Sequence, residues 1–158
     1  MQPARRSSPY EVTTDLSAAD WLWVFAVSLW SRLDIHFALR QKVFLARRDG
    51  RRVGLLRLKF YRSFTEVGNA YIRPGERGTR LMWALGDAVF AHAGGARVYA
   101  IARHDLARGL ERYGFRPVEG PVPDALRRRF ALSRLLGGLL GVDYRLIQSD
   151  GRTRASPR

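Results

Sequence analysis

The sequence contains no cysteine and only two lysines, Lys42 and Lys59, among its 28 basic residues. The absence of cysteine excludes a disulfide framework, a thiolate nucleophile and a cysteine-ligated metal site. Histidine is also scarce, and the spacing of the three histidines is not typical of a metal cluster, so a zinc site is not indicated: they are His36, His92 and His104.

Acidic residues are few as well, 14 against 28 basic ones, which gives a formal net charge of +14. A field of this sign attracts anions such as a phosphorylated cofactor, a nucleic acid or an anionic membrane surface. A solvated surface of arginine-rich composition explains the charge equally well.

The longest hydrophobic run, Trp21 to Trp30, is too short for a membrane-spanning helix, which needs about 20 residues. No apolar segment follows the polar start of the chain, so we expect a soluble cytoplasmic protein without a transmembrane segment.

What the sequence does contain is typical of a globular domain. Its 158 residues are 46% hydrophobic and 27% charged, which is enough to bury a core. The ends of the chain are rich in arginine, serine and proline. We therefore predict disordered tails at 1–8 and 150–158 and a single domain over 9–149.

Strand-like and helix-like patterns alternate along this domain, which predicts an α/β (α+β) layer fold. Ser17 and Asp20 form an acidic variant of the capping box before a largely apolar helix, and Asp49-Gly50 is typical of a hairpin turn. The predicted order is strand 9–14, helix 18–33, strands 42–47, 52–61 and 65–72, helix 79–93, strand 97–102, helix 106–113, strand 115–119, helix 123–140 and strand 142–148. The last helix is basic and amphipathic, with an apolar side formed by Leu126, Phe130, Leu136 and Leu140.

Two segments point to a known family. A strand ending at Ile72 runs through Arg73-Pro74-Gly75-Glu76-Arg77-Gly78-Thr79-Arg80 into a helix, and Leu110-Glu111-Arg112-Tyr113-Gly114-Phe115 ends a later one. With the order of elements, these segments resemble the GNAT superfamily of acyl-CoA-dependent N-acetyltransferases over about 10–119 and 142–148. The resemblance implies a mixed central sheet with antiparallel N-terminal strands flanked by helices. The basic C-terminal helix is an addition.

The resemblance also implies acetyl-CoA as co-substrate, with its pyrophosphate cradled by backbone N–H groups at a helix N-terminus. Two positions depart from the family pattern: Arg80 replaces the first glycine of the loop and Met82 replaces a small residue. Arg80 is able to bind a phosphate itself, whereas the bulk of Met82 could block the backbone. A plain helix start explains the local motif without any ligand. The implied cofactor-binding residues are Tyr71, Ile72, Arg73, Arg77, Gly78, Thr79 and Arg80.

The same resemblance implies catalytic candidates. Glu66, on the strand entering the motif, is the candidate general base, acting directly or through a water, although a strand glutamate facing solvent is the plain alternative. The family's acid is a tyrosine at the position of Leu110, so Tyr113, about one turn away, is the substitute candidate. His104 follows the 97–102 strand and is a candidate base or hydrogen-bond donor, against the plain alternative of a loop histidine.

These observations favour an N-acetyltransferase that transfers an acetyl group from acetyl-CoA to an amine, on a small molecule or a protein. The alternative is a catalytically degenerate GNAT-like binding module for nucleic acid or a protein partner. A small nucleic-acid-binding protein of unrelated fold has only the charge in its favour. The basic helix has three interpretations: an insertion closing over the substrate, a face for RNA or a membrane surface, and a packed helix. A homodimer is also left open.

Overall fold

The computed structural model describes residues 8–30, 40–78, 80–111 and 114–150. Within these ranges the elements predicted from the sequence are present, with bounds shifted by a few residues. They are β1 (Glu11–Thr13), α1 (Ala18–Trp30), β2 (Gln41–Arg48), β3 (Arg51–Phe60), β4 (Thr65–Ile72), α2 (Leu81–Ala93), β5 (Val98–Arg103), α3 (His104–Glu111), β6 (Arg116–Pro117), α4 (Asp124–Leu140) and β7 (Tyr144–Ser149). The predicted tails, apart from Ser8 and Asp150, and the end of the first predicted helix lie outside the described residues.

The seven strands form one mixed sheet in the order β1-β2-β3-β4-β5-β7-β6. β1 pairs antiparallel with β2, and β7 pairs antiparallel with both β5 and β6. β4 and β5 pair in parallel, with Thr65 opposite Val98 and Glu66 opposite Tyr99. The sheet confirms the predicted α/β fold class.

Local turn and cap chemistry sets the first elements. The Asp20 carboxylate accepts hydrogen bonds from the backbone N–H and hydroxyl of Ser17, at 2.9 and 2.7 Å, and the Asp20 N–H lies 3.3 Å from the Ser17 hydroxyl. This reciprocal arrangement is the predicted capping box of α1. Asp49 and Gly50 both have positive φ, 51° and 73°, as a tight hairpin between β2 and β3 requires.

Contacts within the chain divide it into two compact units. The first unit includes α1, β2, most of β3, the second half of β4 and most of α2. Val24, Val43 and Leu55 form a buried core there. Position 54 requires glycine, because a Cβ there would lie only 2.9 Å from the Tyr71 carbonyl oxygen.

The second unit includes the first half of β4 and everything from Phe90 onward. Phe64, Tyr99 and Leu126 form its buried core, so α4 packs onto the sheet through Leu126. The apolar side predicted for α4 is wrong in its second half: Leu136 and Leu140 are exposed, and Gly137 is buried instead. A Cβ on Gly137 would lie 2.7 Å from the Tyr144 ring, so only glycine permits this approach.

Several charged side chains are buried. On β3, Arg57 is fully buried and donates a hydrogen bond to the Ser28 hydroxyl of α1, and Lys59 is 1% exposed. Lys42, the other lysine, is half-buried on β2. Asp20 is buried between Arg47 and Arg52, which donate to its carboxylate at 2.6 and 2.7 Å.

Candidate active site

The segment joining β4 to α2 is the site predicted to bind a phosphorylated cofactor. A short 3₁₀ turn covers Pro74–Glu76, Gly78 follows with a φ of +77°, and α2 begins at Leu81. The N–H of Ala84 donates to the Arg80 carbonyl at 3.1 Å, so Arg80 occupies the cap position of α2. The first turn of α2 contains no acidic residue, so nothing there offsets the positive end of the helix dipole.

Glu76, the one acidic side chain in the segment between β4 and α2, is engaged by other residues. It accepts a hydrogen bond from the Tyr10 hydroxyl at 2.8 Å and lies 3.3 Å from the Arg48 guanidinium. The carboxylate of Glu76 raises the pKa of Arg48. These contacts fasten the turn to the N-terminal segment and to β2.

Three guanidinium groups of the turn, on Arg73, Arg77 and Arg80, are exposed. No ion pair holds them within the described ranges. The positive φ of Gly78 and the open space around it leave the backbone accessible at this point. These features fit a polyanion such as the pyrophosphate of a CoA-type cofactor.

The other predicted cofactor residues are placed differently. The ring of Tyr71 packs edge-on against Trp23, with 5.8 Å between ring centroids, at the core of the first unit. The backbone N–H of Arg73 donates to the Val53 carbonyl at 2.8 Å, so it is used within the sheet. Ile72, the last residue of β4, is half-buried, and Thr79 lies outside the described residues.

Glu66, the predicted base, is buried on β4 with 4% of its surface exposed. The alternative of a solvent-facing strand glutamate is therefore wrong. Its carboxylate pairs with Arg129 of α4: Oε2 lies 3.2 Å from Nε, and Oε1 lies 3.4 Å from the terminal nitrogen. Oε2 has no hydrogen-bond partner among the described residues. Its contact with Nε of Arg129 is therefore an ion pair with poor hydrogen-bond geometry.

Aromatic rings hold Arg129 in this position. The Arg129 guanidinium carbon lies 5.3 Å from the centroid of the Tyr61 ring, and Tyr61 stacks on Phe64 with 4.4 Å between centroids. The α4 helix thus supplies a cation to the carboxylate of β4. Sequence reasoning missed this partner because it lies 63 residues along the chain from Glu66.

The middle of β4 is irregular at Asn69, a non-glycine residue whose φ is +52°. Positive φ inside a strand is typical of a bulge, and bulges are frequent beside active sites. Along the chain, the irregularity lies between Glu66 and the arginine-rich turn, the segment from Arg73 to Arg80 that joins β4 to α2. The Gly68-Asn69 pair was the signal in the sequence, since glycine within a strand pattern suggests a bulge.

The two remaining catalytic candidates differ in what the structure says of them. His104 is the first residue of α3 rather than a loop residue, and its N–H donates to the Asp143 carbonyl at 2.8 Å. Its Nδ1 atom is buried without a hydrogen-bond partner among the described residues. Tyr113 lies outside them. Leu110 is half-buried, and its carbonyl accepts the N–H of Phe115 at 3.2 Å.

The second unit also contains an open cavity of about 770 Å³ between α4, β7 and the segment after β6. Three arginines contribute to its lining, Arg127, Arg134 and Arg145, together with Asp143 and a mostly apolar wall. Glu66 does not line it, so the buried carboxylate and the cavity are separate features. In the described parts of the chain, no group of side chains is suited to hold a metal ion and no helix is suited to cross a membrane.

No protein-family model matches this sequence, and no curated protein matches it either. Solved structures of low sequence identity do match. An acyl-CoA N-acyltransferase from Pseudomonas aeruginosa is 16% identical with a TM-score of 0.61, covering 89% of this chain and 98% of that one. A GNAT-family acetyltransferase from Staphylococcus aureus is 12% identical with a TM-score of 0.62, covering 89% and 98%.

N-acetylglutamate synthase from Neisseria gonorrhoeae, solved with coenzyme A and N-acetyl-glutamate, is 14% identical with a TM-score of 0.63. The match covers 89% of this chain but only 34% of the synthase. At these identities the likeness is one of fold.

Proposed function

We propose that this chain, whose fold is that of the GNAT N-acyltransferases, transfers an acetyl group from acetyl-CoA to an amine. The observation that carries the proposal is the arginine-rich turn after β4. It places three exposed guanidiniums and an open glycine in the segment that leads into α2, directly after the strand that bears a buried carboxylate. Two of the fold neighbours support the same chemistry: one is named as an acyl-CoA N-acyltransferase, and the other was solved with coenzyme A.

The proposed cofactor residues hold the phosphates by charge and by backbone access. Arg77 and Arg80 are exposed and able to bind phosphate oxygens in a bidentate manner. Gly78 lets the backbone approach the ligand without a side chain in between. Arg80 therefore replaces, by its guanidinium, part of what a glycine-rich loop supplies by backbone alone. When bound, acetyl-CoA would supply the acetyl group as an activated thioester.

Acyl transfer requires that an ammonium group lose a proton before its nitrogen forms a C–N bond and the C–S bond breaks. We assign the proton acceptor to Glu66, acting directly or through a water. The ion pair with Arg129 fixes the direction of the carboxylate on β4. Tyr113 is the proposed group that returns a proton to the leaving thiolate, and His104, with a buried ring nitrogen that has no described partner, is the proposed base or hydrogen-bond donor.

Thermal melting with and without acetyl-CoA tests the binding step. A ligand at 100 times its dissociation constant stabilises the native state by about 2.7 kcal/mol. Arg77→Ala should abolish most of this shift. Arg97→Ala is the matched control, because Arg97 is an exposed arginine paired with Asp150 outside the turn. The absence of any shift at millimolar acetyl-CoA would refute the proposal.

Thiol release from acetyl-CoA in the presence of a panel of amines tests the chemical step. Glu66→Gln should lower kcat by about 10²–10⁴-fold, the usual contribution of a general base, while the melting shift with CoA persists. Glu119→Gln, at an exposed position, is the control. Unchanged kcat in Glu66→Gln would remove Glu66 from the mechanism without touching the binding proposal.

A catalytically degenerate binding module is the second candidate. The specific observation in its favour is that the Glu66 carboxylate is buried and already engaged by the Arg129 guanidinium. Such a module would show no thiol release with any amine. It would also retard RNA or DNA in a gel, with binding that weakens as salt is raised.

A further inference from the structure

The outward side of α4 carries an apolar stripe that no part of the structure covers. Its five leucines are between 50% and 78% exposed: Leu132, Leu135, Leu136, Leu139 and Leu140. Their spacing of three, four, seven and eight residues places them on one face of the helix. A contiguous exposed apolar face of this kind is typical of an interaction site.

The core of the second unit does not need these leucines. α4 contacts the sheet through the opposite side, where Leu126 and Gly137 are buried and Phe130 and Ser133 are half-buried. The stripe is therefore additional to the packing that holds the helix in place.

The charges of α4 are nearly all of one sign. Asp124, at its first position, is the sole acidic residue of the helix and pairs with Arg127. Arg128, one helical turn before Leu132, is an exposed cation with no ion pair among the described residues, whereas Arg134, also exposed, lies over the Phe130 ring, 6.0 Å from its centroid, on the cavity side. Basic residues beside an apolar stripe are typical of helices that lie in the surface of an anionic membrane.

We propose that α4 is a membrane-surface helix: the leucine stripe enters the headgroup boundary of an anionic bilayer, and Arg128 contacts the lipid phosphates. The helix lies on the bilayer rather than crossing it, since within the described chain no helix is long and apolar enough to span. A second copy of the chain is a poorer occupant. Packing two such faces together would juxtapose the arginines of both copies, and the stripe itself carries no acid to pair with them.

The helix α1 offers an internal comparison. It also exposes large apolar side chains, among them Leu22 and Leu29, but it has no basic residue and its one acid, Asp20, is buried. Charge complementarity with anionic lipid therefore exists on α4 and is missing on α1. Substitutions on α1 serve as matched controls of equal hydrophobicity.

Flotation of the full chain with vesicles tests the proposal. Wild type should float with vesicles of phosphatidylcholine and phosphatidylglycerol at low salt, and should remain unbound with pure phosphatidylcholine. Raising NaCl to about 0.5 M should release it, because salt screens the arginines. Leu135→Gln/Leu139→Gln should weaken partitioning at least about tenfold, and Arg128→Gln about fivefold.

The control pair Leu22→Gln/Leu29→Gln should bind as wild type does. All substituted side chains are exposed, so circular dichroism and melting should show folded proteins. Failure of wild type to float with anionic vesicles overturns the proposal. The proposal is also overturned if Leu22→Gln/Leu29→Gln loses vesicle binding while Leu135→Gln/Leu139→Gln retains it. A wild-type dimer in sedimentation that becomes a monomer in Leu135→Gln/Leu139→Gln, without vesicle binding, assigns the stripe to a second copy.

Discussion

Replacing Asp20 by asparagine tests the ion-pair cluster at the start of α1. The substitution keeps the size of the side chain and removes its charge. Asp20 is 1% exposed and receives hydrogen bonds from Arg47, Arg52 and Ser17. The guanidinium of Arg47 is the largest influence that holds the pKa of the Asp20 carboxyl far below its usual range, with Arg52 and Ser17 adding to it against the opposing effect of burial.

The expected loss follows from these contacts. A hydrogen bond to a charged group contributes about 1.5–3 kcal/mol, and a helix cap about 1 kcal/mol. Arg47 and Arg52 are 26% and 32% exposed, so water compensates part of the loss when the carboxylate is gone. We therefore expect Asp20→Asn to lower the free energy of unfolding by about 3 kcal/mol. In a chain of this size that corresponds to a decrease in Tm of roughly 6–12 °C.

The effect should depend on pH in one direction. A carboxyl whose pKa is lowered in the folded state stabilises fully above its unfolded pKa, about 3.9 for aspartate, and loses this contribution as pH falls toward the folded value. The difference between wild type and Asp20→Asn should therefore be constant near neutrality. At pH 3 it should be about 1 kcal/mol smaller.

Urea denaturation of both proteins at pH 7 and pH 3 measures this difference. Asp150→Asn is the control, because Asp150 is 69% exposed and its contact with Arg97 is long, at 3.8 Å. Its effect should stay below about 0.5 kcal/mol. The reasoning is refuted if Asp20→Asn costs no more than Asp150→Asn, or if its cost is the same at both pH values.

Two further pairs of variants test packing and hydrogen bonding. Gly137→Ala should destabilise by about 2 kcal/mol, since its Cβ would crowd Tyr144, whereas Gly138→Ala, with open space around it, should stabilise by about 0.5–1 kcal/mol; melting curves with the same sign for both would contradict the α4 packing. Tyr10→Phe removes the hydrogen bond to Glu76 and should cost about 1 kcal/mol in urea denaturation. Tyr144→Phe, whose hydroxyl has no hydrogen bond among the described residues, should cost little, and equal costs would refute the role of Tyr10.

Local features of the fold were predictable from the sequence because they depend on neighbouring residues. Ser17 and Asp20 predicted the start of α1, and Asp49-Gly50 predicted the β2–β3 hairpin. The order of elements followed from hydrophobic periodicity and from glycine and proline positions. The arginine-rich turn was also predictable, because its residues are consecutive in the sequence.

Features that depend on distant residues were not predictable. The pairing of Glu66 with Arg129 joins a strand to a helix 63 residues later, and no local pattern encodes it. The buried side of α4 was partly mistaken because leucines occupy much of its circumference, so periodicity cannot tell which side meets the sheet. The decisive residue was Gly137, where contact with Tyr144 leaves no room for a side chain.

The scarcity of lysine affects what a bound thioester would encounter. Arginine stays protonated at any physiological pH, so the exposed guanidiniums of Arg73, Arg77 and Arg80 would attract the phosphates of the proposed cofactor without attacking its acyl group. Of the two side-chain amines in the sequence, Lys59 is buried and Lys42 is half-buried. A basic surface built from lysine would acylate itself beside its own donor. Under the proposed function, a basic surface built from arginine would concentrate the donor without offering it a side-chain amine.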